Sequence, residues 1–294
     1  MSRIVYVNGS YRSYNEASVH VEDRGLQFAD SVYEVIEVHR NHLVDPTRHL
    51  NRLDRSMSEL SIQPPMSRAA LLHIIRQIVR RNRVSDGTVY LQVTRGTAPR
   101  DFPFSDKSLS PTVICLARRF ARGARDIVAA TGISVQTMPD IRWGRCDIKT
   151  VMLLPAVLAK DQAGQAGASE AWLVDSDGLI TEGASSNAWI VNQKGELQTR
   201  SLSHELLPGI TRRTAIDVAG ELGISVNEQA FSPQDAYTAK EAFNTSASAT
   251  IMPVIRVDHR SIGSGKPGPF TTKLRAAFHH YAERLHSGKS STGS

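Results

Sequence analysis

Hydrophobic and polar positions alternate from the start of the chain. Ile4–Val7 is a short apolar run, Asn8-Gly9 breaks it, and a second alternation follows. Asn-Gly between two such runs predicts a hairpin with a tight turn. Over Val32–His39 the side chains of Val32, Glu34, Ile36 and Val38 fall in one register and Tyr33, Val35 and Glu37 in the other, which predicts a strand. A short return strand follows over His42–Val44. The period then changes. Leu50, Leu53, Met57 and Leu60 recur at helical spacing across Thr47–Leu60, and Leu72, Ile75, Ile78 and Val79 mark a second helix across Ala69–Val84. Thr88–Thr94 and Pro111–Ala117 read as strands.

Arg118–Asp126, RRFARGARD, is polar and aperiodic and predicts a linker between two domains, 1–122 and 123–294. Beyond it, Ile127–Met138 reads as a strand. A helix over 151–166 is closed by Gly164 or Gly167. Strands follow at 170–174, 178–181, 186–192 and 196–200, then a helix over Gly209–Leu222 ended by Gly223. Strands at 242–246 and 254–259 and a helix at 271–285 complete the pattern. The tail, about 286–294, is small and polar and is expected to be disordered. No repeat is visible. Strands and helices mix without strict βαβ alternation, which predicts an α+β fold in two domains, not one doubly wound sheet.

Composition narrows this further. Hydrophobic residues make up 40% and charged residues 22% of 294 residues, as in globular proteins that stay in water. The longest apolar run, Val151–Ala159, is far too short to span a bilayer. The first residues go straight into a strand pattern without a signal-peptide core, which predicts a cytoplasmic protein. Two cysteines, Cys115 and Cys146, make no disulfide framework, and no Cys/His cluster has metal-ligand spacing. The net charge of +6 raises the question of nucleic acid. The densest basic stretch, Arg76, Arg80, Arg81 and Arg83, closes a helix, where cations suit the dipole, and no nucleic-acid motif accompanies it.

Three stretches remain as candidate chemistry. In RCDIKTVMLLPAVLAK (145–160), Lys149 precedes an apolar run and Lys160 closes it. A lysine doing covalent chemistry needs its amine neutral part of the time, hence desolvated. Spacing alone equally allows Lys149 to be a snorkelling side chain at a helix start; Lys160, beside Asp161 and Gln162, is expected to point to water. In LITEGASSNAWIV (179–191), Glu182-Gly183 ends a strand and Asn187 starts the next, either as a hairpin feature or with a carboxylate aimed into a site. In ELLPGITRR (205–213), Pro208-Gly209 lead into a helix whose first N–H groups, Ile210 and Thr211, suit an anion. There is no GxGxxG, P-loop, GxSxG or HExxH.

Taken in order, DRGLQFADSVYEV (23–35), RHLNRL (48–53), VTRGTAPR (93–100), IRWGRCDIKT (141–150), TEGASSN (181–187), LLPGITR (206–212) and NTSASATIMPV (244–254) resemble the class IV, fold-type IV pyridoxal-phosphate aminotransferases, and within them the D-amino-acid aminotransferases. The resemblance covers about Tyr6 to Leu285. It implies a small N-terminal α+β domain and a larger domain with a pseudo-barrel, with pyridoxal 5'-phosphate between them. Lys149 is similar to the Schiff-base lysine and Glu182 to the carboxylate at the pyridine nitrogen. Arg52, Gly209, Ile210, Thr211 and the Ser246-Ala247-Ser248 turn resemble the phosphate-binding set. Leu207 resembles the residue packed on the ring, and Ser186 and Asn187 belong to the same cofactor-binding motif. Tyr33 and Arg100 resemble the pair that binds the substrate α-carboxylate, Arg100 being supplied by the partner subunit of a homodimer. The implied reaction is ping-pong transamination of D-amino acids with 2-oxo acids. A branched-chain L-amino-acid aminotransferase, an (R)-amine transaminase and aminodeoxychorismate lyase are the alternatives on the same fold. One position departs from the pattern: Phe102 stands where the family usually has a histidine, and it cannot donate a hydrogen bond.

Overall fold

The computed structural model describes residues 3–104, 109–121 and 123–286. The chain divides into two compact units, Met1–Ala121 with Ile148–Met152, and Arg122–Asp147 with Leu153–Ser294. The division therefore crosses the chain three times, and the segment holding Lys149 belongs to the first unit.

The first unit contains β1 (Ile4–Val7), β2 (Ser10–Ser13), α1 (Arg24–Phe28), β3 (Ser31–His39), β4 (His42–Leu43), α2 (Pro46–Glu59), α3 (Arg68–Arg81), β5 (Gly87–Thr94) and β6 (Thr112–Arg119). Its six strands form one antiparallel sheet in the order β2-β1-β6-β5-β3-β4. The Asn8-Gly9 hairpin forms as expected, with both residues at positive φ (41° and 87°), the geometry a two-residue hairpin turn demands. Period two decides what the sheet buries. Val32, Ile36 and Val38 of β3 lie inside with Leu50, Leu53 and Met57 of α2, and α3 covers the sheet with Ile75 and Ile78. Cys115 is fully buried in β6, where burial alone raises its thiol pKa, so it acts as a small core residue.

The second unit contains α4 (Ala124–Thr131), β7 (Ile133–Pro139), α5 (Leu154–Gln165), β8 (Glu170–Val174), β9 (Ile180–Gly183), β10 (Asn187–Val191), β11 (Leu197–Thr199), α6 (Ile210–Glu221), β12 (Val226–Glu228), α7 (Pro233–Thr238), β13 (Glu241–Ser246), β14 (Thr250–Val257), β15 (Arg260–Ser261) and α8 (Pro269–His286). Its sheet runs β12-β11-β10-β13-β14-β7-β8-β9, with β15 on β14. β9 and β10 are joined by a turn of three residues and pack together, yet they stand five places apart in the strand order. The sheet must therefore curl back on itself, which makes the expected pseudo-barrel. Alternation along β10 serves two cores: Ala188 and Ile190 pack with Trp172, Ile180 and Phe231, while Trp189 and Val191 pack with Val218 of α6 and Leu274 and Phe278 of α8.

Several expectations needed correction. Arg118 and Arg119 are not linker but the end of β6, paired with Thr88 and Gly87. Ile127–Met138 is not one strand. Its first part is α4, which buries only Ala129 and leaves Ile127 exposed. Gly132 at φ 76° then turns the chain into β7; the β-branched pair Ile127-Val128 imitates a strand that tertiary packing does not use. The helix begins at Leu154, not at 151, with Pro155 in its first turn. β14 starts at Thr250 and runs through Pro253, a residue whose presence argues against a strand. Short elements such as α1, α7 and β12 carry too few residues for a periodic signal. The predicted tail from residue 287 onward lies outside the described residues.

Candidate active site

Lys149 is held by backbone pairing. The Lys149 carbonyl accepts from Tyr33 N–H at 3.0 Å, the Ser31 carbonyl accepts from Val151 N–H at 3.2 Å, and Thr150 bridges to Val32. The segment thus adds to the start of β3 as a short extra strand. Its amide also donates to Ser56 Oγ on α2 at 3.4 Å. The half-buried amine lies 4.2 Å from the centre of the Tyr33 ring, and Tyr33 in turn stacks on Tyr90 at 5.5 Å. The face of an aromatic ring attracts a cation electrostatically, and Lys149 stays partly open to solvent.

On the opposite register of β3, Glu34 is fully buried and binds Arg52 bidentately: Nε to Oε1 at 2.8 Å and Nη2 to Oε2 at 2.8 Å. His49 Nδ1 donates to Glu34 Oε2 at 2.7 Å. Burial pushes the Glu34 carboxyl up, but the Arg52 charge and the hydrogen bonds from Arg52 and His49 overcome it and hold the pKa at about 2. Burial lowers the His49 pKa, against the pull of Glu34, so the imidazole is neutral at ordinary pH. A fork of five donors spends two on Glu34 and is thereby fixed in direction. His49, Arg52 and Ser56 lie at i, i+3 and i+7 of α2, hence on one face, next to the apolar stripe of Leu50, Leu53 and Met57.

In the second unit, Glu182 lies in β9, just before its last residue, and is 5% exposed. Its carboxylate accepts from Asn187 Nδ2 at 2.9 Å, from Leu207 N–H at 3.2 Å to each oxygen, and from Arg142 Nη1. Arg142 is anchored by Asp140 through Nε at 2.9 Å and Nη2 at 2.7 Å. Burial works against charge at both Arg142 and Asp140, but their mutual hydrogen bonds prevail: Arg142 is held above and Asp140 below its ordinary pKa. Glu182 is thus a buried carboxylate that faces donors from Arg142, Asn187 and Leu207, suited to accept from a heterocyclic N–H as well. Asn187 also donates to the Leu207 carbonyl at 3.0 Å, so it ties Leu207 to Glu182.

α6 opens at Gly209, which offers no side chain to the helix N–H groups, and no side chain caps them. A Cβ at Gly209 would fall 2.0 Å from Asn187 Oδ1. Only glycine permits this approach, and the helix start it opens, with Ile210 and Thr211, suits an outside anionic acceptor. Ser246 ends β13, and Ala247, Ser248 and Ala249 form the turn to β14; α6 packs against both strands. Ser246 Oγ and Ser248 Oγ lie 3.4 Å apart. Ser186 Oγ is 3.5 Å from Glu170 Oε2. Lys160, expected to point freely to water, instead donates to Glu170 Oε2 at 3.3 Å and Ser185 Oγ at 2.9 Å.

Arg100 is exposed on its loop, its guanidinium 5.3 Å from the Phe28 ring and 5.9 Å from Phe102. Phe102 is 75% exposed and meets Phe28 edge to face at 5.6 Å. The residue that replaces a donor thus adds an apolar wall beside the arginine.

The sequence reading missed Glu34, His49, Arg142 and Asp140. Glu34 had a signal, since a carboxylate among Val32, Ile36 and Val38 in the buried register requires a partner. His49 had one as well, on the face of Arg52. Arg142 and Asp140 follow β7 in a segment without period, and only the fold brings them to β9.

Comparison with known proteins bears on this arrangement. The model of the family "Amino-transferase class IV" matches residues 31–257. A D-alanine aminotransferase of Bacillus licheniformis is 38% identical over 273 residues, 93% of this chain and 95% of that protein. That of Staphylococcus haemolyticus is 35% identical over 279 residues, 95% and 98% of the two chains. Among solved structures, the branched-chain amino acid aminotransferase of Escherichia coli superposes with a TM-score of 0.86 at 27% identity, covering 95% of this chain and 94% of that one. A T.th. branched-chain amino acid aminotransferase with pyridoxamine 5'-phosphate gives 0.86 at 25% identity, covering 96% and 94%. A family match across most of the chain and relatives alike over their whole length lead to one conclusion: the chain belongs to the class IV aminotransferases and is a transaminase.

Proposed function

We propose that this enzyme transaminates D-amino acids such as D-alanine with 2-oxo acids such as 2-oxoglutarate or pyruvate, by a ping-pong route. The observation that carries the reading is the likeness to D-alanine aminotransferases, at 35% and 38% identity over nearly the full chain, with Tyr33 and Arg100 both in place. The family's cofactor is pyridoxal 5'-phosphate, and the residues suit it: a lysine amine, a buried carboxylate, an oriented arginine and a helix start opened by glycine. When bound, the cofactor supplies a ring that accepts the electron pair left at the substrate Cα.

The residues divide the work. Lys149 would provide the amine that holds the cofactor covalently, and Nζ would carry the proton taken from the substrate Cα to the cofactor's C4′. Glu182, held by Arg142, Asn187 and the Leu207 N–H, would accept from the ring nitrogen and so keep that nitrogen protonated. Leu207 would pack against the ring. Arg52, Gly209, Ile210, Thr211 and the Ser246–Ser248 turn hold the phosphate, Ala247 through its backbone N–H; Ser186 supports the same site. Tyr33 and Arg100 bind the substrate α-carboxylate, Arg100 by its bidentate fork.

The enzyme acts as a homodimer in which the Arg100 loop serves the partner's site. Two features support this: Arg100 is exposed, and α5 presents Leu154, Val157 and Leu158 to solvent at 67%, 56% and 47%. Mixing Lys149→Ala with Arg100→Ala subunits is then expected to regain about a quarter of the wild-type rate, because one site of each hybrid is intact. No gain on mixing, with hybrids verified by mass, refutes the shared site. Two free cysteines suit a reducing, cytoplasmic setting; no described helix is long and apolar enough to cross a membrane.

Transamination of branched-chain L-amino acids is the second reading, favoured by the structural neighbours and by the apolar Phe102. A half-reaction screen separates the two. Enzyme is mixed with D- and L-alanine, glutamate and leucine and with (R)-1-phenylethylamine, and the cofactor spectrum is followed. Conversion by the D-forms is expected; rapid conversion by L-leucine alone overturns the D-specific reading.

A further inference from the structure

We propose that Arg275, on α8, is a positioning residue for the cofactor phosphate, acting through the turn between β13 and β14. The proposal rests on the assignment of that turn to the phosphate. Thr250, the residue that closes the turn and opens β14, has φ 57°. Left-handed backbone is a genuine outlier for a β-branched residue, and a three-residue hairpin loop ordinarily places glycine there. The strain persists only if the surroundings over-determine it.

Arg275 does so. Its Nη1 donates to Thr250 Oγ1 at 2.6 Å, to the Ile251 carbonyl at 2.7 Å and to the Ala249 carbonyl at 3.2 Å. Its Nη2 donates to Asp126 Oδ1 on α4 at 2.7 Å. The residue is 9% exposed, and its bonds to Thr250 and Ile251 are buried and little diluted by water, whereas Asp126 is exposed. The helix that carries it is pinned to the same hairpin: Glu241, first residue of β13, accepts from Phe270 N–H at 2.9 Å and from Thr271 N–H and Oγ1 at 2.8 and 2.7 Å. The grip reaches the proposed ligands directly. Ala249, whose carbonyl Arg275 holds, donates its N–H to Ser246 Oγ at 3.1 Å, and that hydroxyl faces Ser248 Oγ. Without Arg275, Thr250 can relax to negative φ, and the Ser246 and Ser248 hydroxyls and the Ala247 N–H lose their common direction.

This role is selective for phosphate, which makes it testable apart from activity. Resolved holoenzyme is titrated with pyridoxal 5'-phosphate and with pyridoxal, which lacks the phosphate, and binding is read from cofactor absorbance; circular dichroism checks the fold. Arg275→Met is expected to raise the Kd for pyridoxal 5'-phosphate about thirtyfold, the scale of lost charge-assisted hydrogen bonds, and to leave pyridoxal unchanged. In a Thr250→Gly background, where positive φ carries no strain, the same substitution is expected to cost less. An unchanged Kd for pyridoxal 5'-phosphate, or equal weakening of both ligands, overturns the proposal. If Arg275→Met does not fold, Arg275→Lys, which keeps the charge but not the fork, is judged by the same criterion. Should the wild type itself bind both ligands alike, the phosphate assignment fails, and this proposal with it. Preference for the phosphate in the wild type with no effect of Arg275 refutes the positioning role alone.

Discussion

Lys149→Ala is expected to give a folded, colourless protein with turnover reduced by at least about 10³-fold, the scale on which a positioned proton-transfer group contributes. The fold survives because Lys149 is tied through its backbone: Tyr33 N–H, Thr150 and Val151 do the pairing. What disappears is the amine over the Tyr33 ring. Borohydride reduction followed by peptide mass analysis should find the phosphopyridoxyl adduct on the Lys149 peptide of the wild type and not in the variant. A normal adduct in Lys149→Ala would assign the covalent role to another lysine. Lys160 is the control. It is bound to Glu170 and Ser185, so Lys160→Ala should retain the adduct.

The second large effect is on stability. Glu34→Gln removes the buried carboxylate that the Arg52 guanidinium grips bidentately, and breaking such a pair costs about 3–5 kcal/mol. Urea unfolding reads this directly, and a loss under about 1 kcal/mol would mean that water or another group replaces the carboxylate. The pH dependence has a definite sign. The Glu34 pKa is depressed from 4.5 to about 2 in the folded chain. Its contribution is therefore fully present above the unfolded value and is lost as pH falls from about 4.5 toward 2. The variant should lose less stability than the wild type across that window. Cofactor affinity should weaken as well, because Arg52 loses the partner that aims it.

Much of the candidate site was legible in the chain. Lys149, Glu182 and the Gly209–Thr211 helix start each had a local signature, and the order of seven motifs separated them from their bland alternatives. Period two along β3 and the helical spacing of α2 predicted these elements to within a residue or two of their ends. Legibility failed in two ways. Ile127-Val128 imitated a strand because propensity ranks residue types without knowing which face will be buried. The helix expected from residue 151 hid the fact that Ile148–Met152 joins the sheet of the first unit; a single β-bridge leaves no period to detect.

The sequence by itself determined the family, the mixed architecture and the candidate reactive groups, because turns, alternation and motif residues act over a few positions. Tertiary structure alone decided how those groups are held. Glu34 and Arg52, Arg142 and Glu182, and Arg275 and Thr250 are 18, 40 and 25 residues apart. Each pairs a charged donor with its acceptor in a dry interior. The need for such a partner follows from burying charge or polarity, but which residue meets it depends on how the strands and helices pack.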